Sequence, residues 1–305
     1  MSFFPGKDPA PGDRFACDAL ELVVVPRTVD LGDFEVRRAL PHTSRRTVGP
    51  FVFFDHFGPA VFKAGNGLDV RPHPHIGLST LTYLYDGEIT HRDNLGVNAA
   101  IRPGEVNWMT AGRGIVHSER STPEDRATGM RMHGLQTWVV LPRSLEETAP
   151  SFTHVPGAQL PRFDVDGARV TVVAGHAFGR RAPTPTHSDT LYAAIEMPAG
   201  TSIGVPAEHE ERAVYAVEGD VEVDGTPLTD AHMAVVESAA PFSIRARSDA
   251  KVMLVGGARP DGERFIWWNF VSSSRERIDA AKATWQAQGF GQVPGETEFI
   301  PLPDR

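Results

Sequence analysis

The chain has 305 residues, of which 41% are hydrophobic and 23% are charged, and its 39 acidic and 30 basic residues give a net charge of −9. This length exceeds the size at which one hydrophobic core usually stops growing, so two domains or one duplicated architecture are expected. The composition excludes intrinsically disordered, collagen-like and coiled-coil chains. Because an acidic surface repels phosphate groups, direct binding of nucleic acid or of anionic lipid is disfavoured.

The single cysteine, Cys17, bears on the cellular compartment. A lone thiol excludes an internal disulfide framework and a thiolate zinc site, and it agrees with a reducing compartment. Residues 1–15 are rich in proline, glycine and charge, and the apolar run 22–25 ends at Pro26. Neither segment is long enough for a signal peptide or a membrane span, so a cytoplasmic protein without membrane contact is predicted.

Short apolar or alternating segments between turn residues predict a mostly β architecture with the strand spacing of a barrel or sandwich. The predicted strands cover residues 51–54, 78–85, 136–141, 170–174, 191–195, 213–217, 233–236 and 251–255. One helix is predicted over residues 274–288, packed on a sheet. Its signals are a capping box of Ser273 and Glu276, apolar residues at helical spacing, and Gly289 as its end.

Two segments of the chain repeat one pattern. Residues 83–89 (YLYDGEI) and 215–221 (YAVEGDV) share an aromatic residue, two variable residues, an acid, glycine, a second acid and a β-branched residue, 132 positions apart. Duplication of one domain explains the match; the alternative is coincidence between two strand–turn–strand hairpins. Duplication predicts an N-terminal domain of residues 1–142, crossover strands at 143–175, and a C-terminal domain of residues 176–305 that includes the helix.

Two histidine-containing pairs in the first half predict a metal site. His73 and His75 are two positions apart, as are His117 and Glu119, so each pair points to one face of an extended chain. Neighbouring antiparallel strands lie roughly 4.8 Å apart, close enough for both pairs to reach one ion. Each pair alone has a simpler explanation, either a solvated loop or a core His117 hydrogen-bonded by Glu119. Taken together, and with two glycine turns preceding His117 and Glu119, the two pairs favour metal binding.

Three imidazoles and one carboxylate suit divalent iron, manganese, nickel, cobalt or copper, and they leave positions open on a six-coordinate ion. The aromatic and polar residues near these pairs are interpreted in two ways. The aromatic residues would line the binding site of a planar molecule or simply belong to the core. The polar residues would orient the metal-binding side chains or have a purely structural role. The aromatic set is Phe53, Phe54, Tyr83 and Trp108, and the polar set is His56, His91 and Asp93.

The repeat offset places other residue types at the ligand positions of the second half. Val205 and Ala207 correspond to the first pair, and Asp249 and Lys251 to the second, with allowance for drift. The second copy is therefore predicted to have lost its ligands. The remaining histidines there, His209 and His232, are interpreted as structural or surface residues.

At these residues the sequence resembles the pirin family of bicupins, in the cupin superfamily. The resemblance is densest at residues 108–119 (WMTAGRGIVHSE) and extends to residues 36–41, 54–59, 73–75, 133–138 and 269–274. It implies an all-β fold of two stacked cupin barrels with a C-terminal α-helix, and a metal only in the first barrel. The family's four metal ligands fall on His73, His75, His117 and Glu119. One position departs from the family pattern, because Ser79 stands where a glutamate is usual, and this affects pocket polarity and substrate choice.

The resemblance implies two functions, between which the sequence does not decide. One is an enzyme of the quercetin 2,3-dioxygenase type, acting on a flavonol-like aromatic substrate and O2, with Fe(II) as the favoured ion and Glu119 as the catalytic base. The other is a metal- and redox-dependent regulator that docks on a protein partner. A metal-binding barrel acting on an unrelated small molecule is a third possibility.

Overall fold

The computed structural model describes residues 20–30, 35–236 and 240–303, so Cys17 and residues 1–15 lie outside the described part of the chain. Its described residues form β-strands and two α-helices, α1 (Pro123–Thr128) and α2 (Arg275–Gln286). The predicted all-β class with a C-terminal helix is confirmed. Neither helix combines the length and apolarity needed to cross a membrane.

The strands of the first half of the chain follow one another closely. They are β1 (Leu20–Val24), β2 (Arg27–Asp30), β3 (Glu35–Leu40), β4 (Phe51–Phe62), β5 (Asp69–His75), β6 (Leu78–Asp86), β7 (Ile89–Asp93), β8 (Asn98–Ile101), β9 (Val106–Thr110), β10 (Ile115–Arg120), β11 (Met130–Val140) and β12 (Ser151–Val155).

The second half continues in the same way, after short 3-10 turns at Arg143–Leu145 and Gly157–Gln159. Its strands are β13 (Arg162–Val165), β14 (Ala168–Ala177), β15 (Arg180–Arg181), β16 (Thr190–Met197), β17 (Ser202–Val205), β18 (Glu211–Glu218), β19 (Val221–Val223), β20 (Thr226–Leu228), β21 (Met233–Val236), β22 (Phe242–Ala246), β23 (Ala250–Gly257), β24 (Phe265–Trp267) and β25 (Phe270–Ser272). Every predicted strand coincides with one of these, and only residue 141 falls outside its strand.

The sheets repeat one pairing pattern. The order β5-β10-β7-β8 in one four-stranded sheet recurs as β17-β22-β19-β20 in another, and β9-β6-β11-β4 recurs as β21-β18-β23-β16 within the two larger sheets. The repeated sequence segments contain the ends of β6 and β18, and each strand is followed by a glycine with positive φ, Gly87 at 89° and Gly219 at 80°. This correspondence supports duplication rather than coincidence.

The chain divides into two compact units, which differ from the consecutive domains predicted from the sequence. Of the described residues, 30, 35, 57–157 and 260–303 belong to one unit, called here the first barrel. The second barrel contains the described residues 20–29, 36–56, 158–236 and 240–259. The predicted bounds 1–142, 143–175 and 176–305 miss this interleaving because terminal segments pair far along the chain: β1 pairs with β21, and β25 contacts β5. Helix α2 accordingly belongs to the first barrel.

Helix α2 packs on the first barrel through one apolar face. Its buried residues lie in a cluster with residues of and beside β5, β10 and β25, namely Ile76, Val116, Phe270, Ile278, Ala281, Trp285 and Val293. The hydroxyl of Ser274 caps the helix by accepting a hydrogen bond from the Arg277 amide at 3.2 Å. The predicted Ser273 cap is therefore wrong by one residue, because Ser273 instead donates to the buried Glu146 carboxylate.

Candidate metal centre

Three buried imidazoles converge in the first barrel. His73 and His75 lie on β5, and His117 lies opposite His73 on the antiparallel strand β10. Their ring centroids are 4.4 to 5.0 Å apart, and one candidate ligand nitrogen of each lies within 4.8 Å of the others. The alternation of a β-strand puts His73 and His75 on one face, and the strand register adds His117 to that face.

Two of the imidazoles are oriented by backbone carbonyls. Nδ1 of His73 donates to the carbonyl of Arg71 at 2.8 Å, and Nδ1 of His75 donates to the carbonyl of Asn269 at 3.2 Å. A carbonyl only accepts, so each ring carries its hydrogen on Nδ1 and presents a lone pair on Nε2. Imidazoles that bind metals are held in this way.

His117 presents a buried nitrogen that no hydrogen bond satisfies. Its Nε2 has no partner among the described residues, and the side chain is almost fully buried. An unsatisfied buried polar atom destabilises a protein by about 1–3 kcal/mol, so nearly all such atoms in native proteins have a partner. A cation at the meeting point of the three imidazoles would satisfy this atom, so the residues present fit a metal ion.

A chain of hydrogen bonds fixes the tautomer of His117. The Asp93 carboxylate accepts from Nε2 of His91 at 3.1 Å, and it also accepts from the amides of Leu95 and Val97 at 2.9 and 3.1 Å. Because His91 then carries its hydrogen on Nε2, its Nδ1 accepts from Nδ1 of His117 at 3.3 Å. His117 is left with a lone pair on Nε2. His91 and Asp93 thus orient the imidazole of His117, as one of their two interpretations expects.

The electrostatics of the cluster keep the imidazoles neutral. Burial lowers the pKa of His73 to about 4. Burial, together with the neighbouring imidazoles, holds the pKa of His75 and the pKa of His117 well below their ordinary value. Neutral imidazole is the form that binds metals, so the lone pairs are available at neutral pH.

Glu119 lies beside the imidazoles rather than among them. Its carboxylate is not in the converging group of ligand atoms, and Oε1 is 3.5 Å from the hydroxyl of Thr82. That hydroxyl is only 2.6 Å from Oε1 of Gln136, so its single hydrogen goes there and leaves the carboxylate weakly satisfied. Burial raises the pKa of Glu119, and the nearby His91 opposes this rise.

The aromatic side chains that contact the imidazoles differ from those considered in the sequence. Trp138 meets His75 edge-on at a centroid distance of 5.2 Å, and Phe152 stacks on His91 at 4.3 Å. Trp138 lies in a segment that carried the family resemblance, but Phe152 lies in the predicted crossover, where no local signal marked it.

The four aromatic candidates from the sequence pack elsewhere. Phe54 packs on Tyr215, Phe53 lies under the guanidinium of Arg38, Tyr83 meets Tyr85, and Trp108 donates to the Thr110 hydroxyl. His56 contacts the hydroxyl of Tyr215 at 3.0 Å, which indicates a structural role.

Ser79, the departure from the family pattern, is fully buried on β6. Its hydroxyl lies 3.1 Å from the Thr110 hydroxyl, which also accepts from the indole of Trp108 at 3.0 Å. The hydroxyl is therefore engaged within the barrel wall, and the position carries no charge.

In the second barrel, the strands equivalent to those of the imidazole cluster carry no ligands. The equivalents of β5 and β10 are β17 and β22, whose sequences SIGV and FSIRA contain no histidine or carboxylate. Asp249 and Lys251 are not the counterparts of His117 and Glu119. Loops of different length change the spacing between corresponding residues of the two copies ahead of β22. The strands β17 and β22 therefore hold no counterparts of the histidines on β5 and β10, although a different group of histidines exists in this barrel.

Comparison with known proteins identifies the class. The profile of the Pirin family matches residues 33–139, and that of the Pirin C-terminal cupin domain matches residues 192–291. A pirin-like protein of Caulobacter vibrioides is 51% identical over 290 residues, which cover 93% of this chain and all of that protein. The chain therefore belongs to the pirin family, whose members have two cupin domains.

Solved structures agree with this assignment. A quercetin 2,3-dioxygenase of Acinetobacter baumannii is 33% identical, with a TM-score of 0.86 over 93% of this chain and 96% of that one. A bacterial pirin of Escherichia coli, solved in complex with nickel(II), is 21% identical with a TM-score of 0.62 over 78% of this chain and 99% of that one, and it shows the shared fold.

Proposed function

We propose that this protein is a metal-dependent oxygenase of the quercetin 2,3-dioxygenase type, which opens the central ring of a flavonol with O2 and releases carbon monoxide. The observation that carries the proposal is the unsatisfied Nε2 of His117, buried where the lone pairs of His73 and His75 also point. Similarity to the Acinetobacter enzyme across nearly the whole chain supports the reaction class.

The proposed metal ligands are His73, His75, His117 and Glu119, with Fe(II) as the proposed ion and nickel, manganese, cobalt or copper as alternatives. Neutral nitrogen and carboxylate donors without a thiolate suit these ions. When bound, such an ion supplies Lewis acidity that polarises a substrate oxygen and lowers the pKa of its hydroxyl. Glu119 is included because it follows His117 by two residues on β10 and because Thr82 satisfies its carboxylate only weakly.

Glu119 is the proposed catalytic base. Its carboxylate would take the proton of the flavonol hydroxyl that lies against the imidazole cluster. Burial raises its pKa above the ordinary value of a carboxylate, which strengthens it as a base. After transfer, the proton stays on a carboxyl oxygen next to the Thr82 hydroxyl, where a protonated acid can donate to Thr82.

Trp138 and Phe152 are the proposed positioning residues for the planar rings. Trp138 meets His75 of the converging group edge-on, and Phe152 stacks on His91, which orients His117. Aromatic side chains favour offset or edge contacts with other rings, so they can orient a flavonol while keeping water away from the reacting oxygen.

The decisive experiment measures oxygen uptake and carbon monoxide release with quercetin, for protein loaded separately with iron, nickel, manganese, cobalt and copper. We expect equimolar O2 consumption and CO release with at least one ion. Glu119→Gln should lower kcat by about 10²–10⁴-fold. His154→Gln, at a half-buried site that contacts Asn107, is the matched control and should keep full activity. If all five loaded forms leave O2 unconsumed, the oxygenase proposal is wrong.

A further inference from the structure

A second cluster of potential ligands lies within the second barrel and is independent of the proposed oxygenase site. It consists of His176 near the end of β14, Asp189 just before β16, and Glu208 and His209 in the loop between β17 and β18. The rings of His176 and His209 are 4.1 Å apart between centroids. One ligand atom each of His176, Glu208 and His209 lies within 4.8 Å of the others.

The hydrogen bonds of His209 indicate a missing positive charge. Its Nε2 donates to the carbonyl of His176 at 2.9 Å, so the hydrogen of a neutral ring is already placed. Nδ1 of the same ring lies 2.9 Å from the Asp189 carboxylate. If the imidazole were neutral, this contact would place the lone pair of Nδ1 against the negatively charged Asp189 carboxylate. Either a second proton or a cation therefore belongs at Nδ1. The His209 side chain is only 1% exposed, which makes an unbalanced contact costly.

The remaining groups are held in place around the same point. Nε2 of His176 lies 2.9 Å from the other oxygen of Asp189. The two oxygens of Glu208 accept from the amides of Phe178 and Gly179 at 2.8 and 3.0 Å, and both of those residues have left-handed φ values. This turn fixes the Glu208 carboxylate while leaving each oxygen a further lone pair.

We propose that this cluster binds a divalent transition-metal ion of the zinc type, with His176, His209 and Glu208 as ligands and Asp189 as the fourth. Two imidazoles and two carboxylates form a neutral set with such an ion, and zinc takes both imidazole nitrogen and carboxylate oxygen as ligands. His176 is 24% exposed and Asp189 is 36% exposed, so an ion can enter from solvent. Bound there, it would tie the end of β14 to the start of β16 and to the β17–β18 loop.

The test uses the full chain, freed of metal with a chelator and then titrated with Zn²⁺ under competition from a colorimetric chelator. Wild type should bind a second equivalent in addition to the one taken by the imidazole cluster of the first barrel. His176→Gln and Glu208→Gln should each lose one equivalent and keep the other, and because both side chains are partly or fully exposed, they should remain folded. His232→Gln is the control, because His232 contacts Thr229 and Asp230 of the same barrel instead.

Two further measurements distinguish a bound ion from a proton at His209. Zn²⁺ should raise the unfolding midpoint less in His176→Gln than in His232→Gln, since one stabilising site is missing. Nitrogen NMR should show Nδ1 of His209 without a proton once zinc is bound. The proposal is overturned if wild type and His176→Gln bind the same number of equivalents, or if His209 stays doubly protonated in excess zinc, because a proton then supplies the charge.

Discussion

Nδ1 of His117 lies 3.3 Å from Nδ1 of His91, although the two residues are 26 positions apart in the chain. The contact is part of a chain that begins at the buried Asp93 carboxylate, and only one arrangement of hydrogens satisfies it. That arrangement leaves Nε2 of His117 with its lone pair directed away from His91. A residue outside the proposed ligand set therefore decides which nitrogen of a ligand is available.

This relationship predicts that His91→Ala weakens metal binding. Without His91, the His117 ring loses the acceptor that fixes its tautomer, and outer partners of this kind are worth about 10–100-fold in metal affinity. Competition with a chelator measures the Kd. His91→Gln, whose amide oxygen can accept the same hydrogen, should recover part of the loss. An unchanged Kd in His91→Ala would show that His91 merely fills space against Phe152.

The lowered pKa values predict the acid limit of metal binding. Protons compete with a metal for the same nitrogen, but burial holds the pKa of His73 at about 4. Competition should therefore begin only well below the ordinary imidazole value of about 6.5. Metal content after dialysis at a series of pH values measures this limit. Release that follows a midpoint near the ordinary imidazole value would contradict the burial seen here.

The same groups predict how the metal-free protein responds to acid. An unfolded chain binds a proton at His73 near pH 6.5, whereas the folded chain binds it only near pH 4, so the unfolded state holds more protons between these values. The free energy of unfolding should fall as pH decreases through this window, with His73 contributing at most about 3 kcal/mol. Urea unfolding of chelator-treated protein measures the slope. His73→Asn should show a shallower fall, and an identical slope would remove His73 as a cause.

The strands and the shared face of His73 and His75 can be predicted from the sequence because both depend on short-range periodicity. Alternation predicts a strand, and the spacing of His73 and His75 predicts a shared face. The contact between His91 and His117 depends on strand pairing, and the bond from His75 to the Asn269 carbonyl joins residues 194 positions apart. Neither has a local signal. The division into barrels was missed for the same reason, since distant terminal strands pair with internal ones.

A single carbon added at Gly77 is expected to disrupt the first barrel. It has a φ of +68°, and a Cβ there would lie 2.0 Å from the backbone oxygen of Val271, an atom that cannot move aside. Gly77→Ala should therefore destabilise the protein by about 3 kcal/mol or more, measured by urea unfolding. Gly65 has a φ of +93° but nothing within 4 Å of its Cβ position. Gly65→Ala is thus the control, with a cost of about 1–2 kcal/mol from backbone strain alone. Equal costs would show that the approach of Val271 is unimportant.

Trp285 links helix α2 to the strands that carry the imidazoles. It is 1% exposed, packs in the cluster that includes Ile76 and Val116, and donates from its indole to the Ile300 carbonyl at 3.0 Å. Ile76 follows His75 directly and Val116 precedes His117, so a cavity at Trp285 should loosen both ligands. Trp285→Ala should cost about 3–5 kcal/mol of stability. It should also weaken the metal Kd under conditions in which the variant is still folded.

Phe299 supplies the matched control for this prediction. It meets Trp285 edge-on at a centroid distance of 5.7 Å but is 44% exposed. Phe299→Ala therefore removes an aromatic contact worth about 0.5–1.5 kcal/mol without opening a cavity behind β5 and β10. It should leave the metal Kd unchanged. If Trp285→Ala lowers stability but binds metal as tightly as Phe299→Ala, the helix stabilises the barrel without positioning His75 and His117.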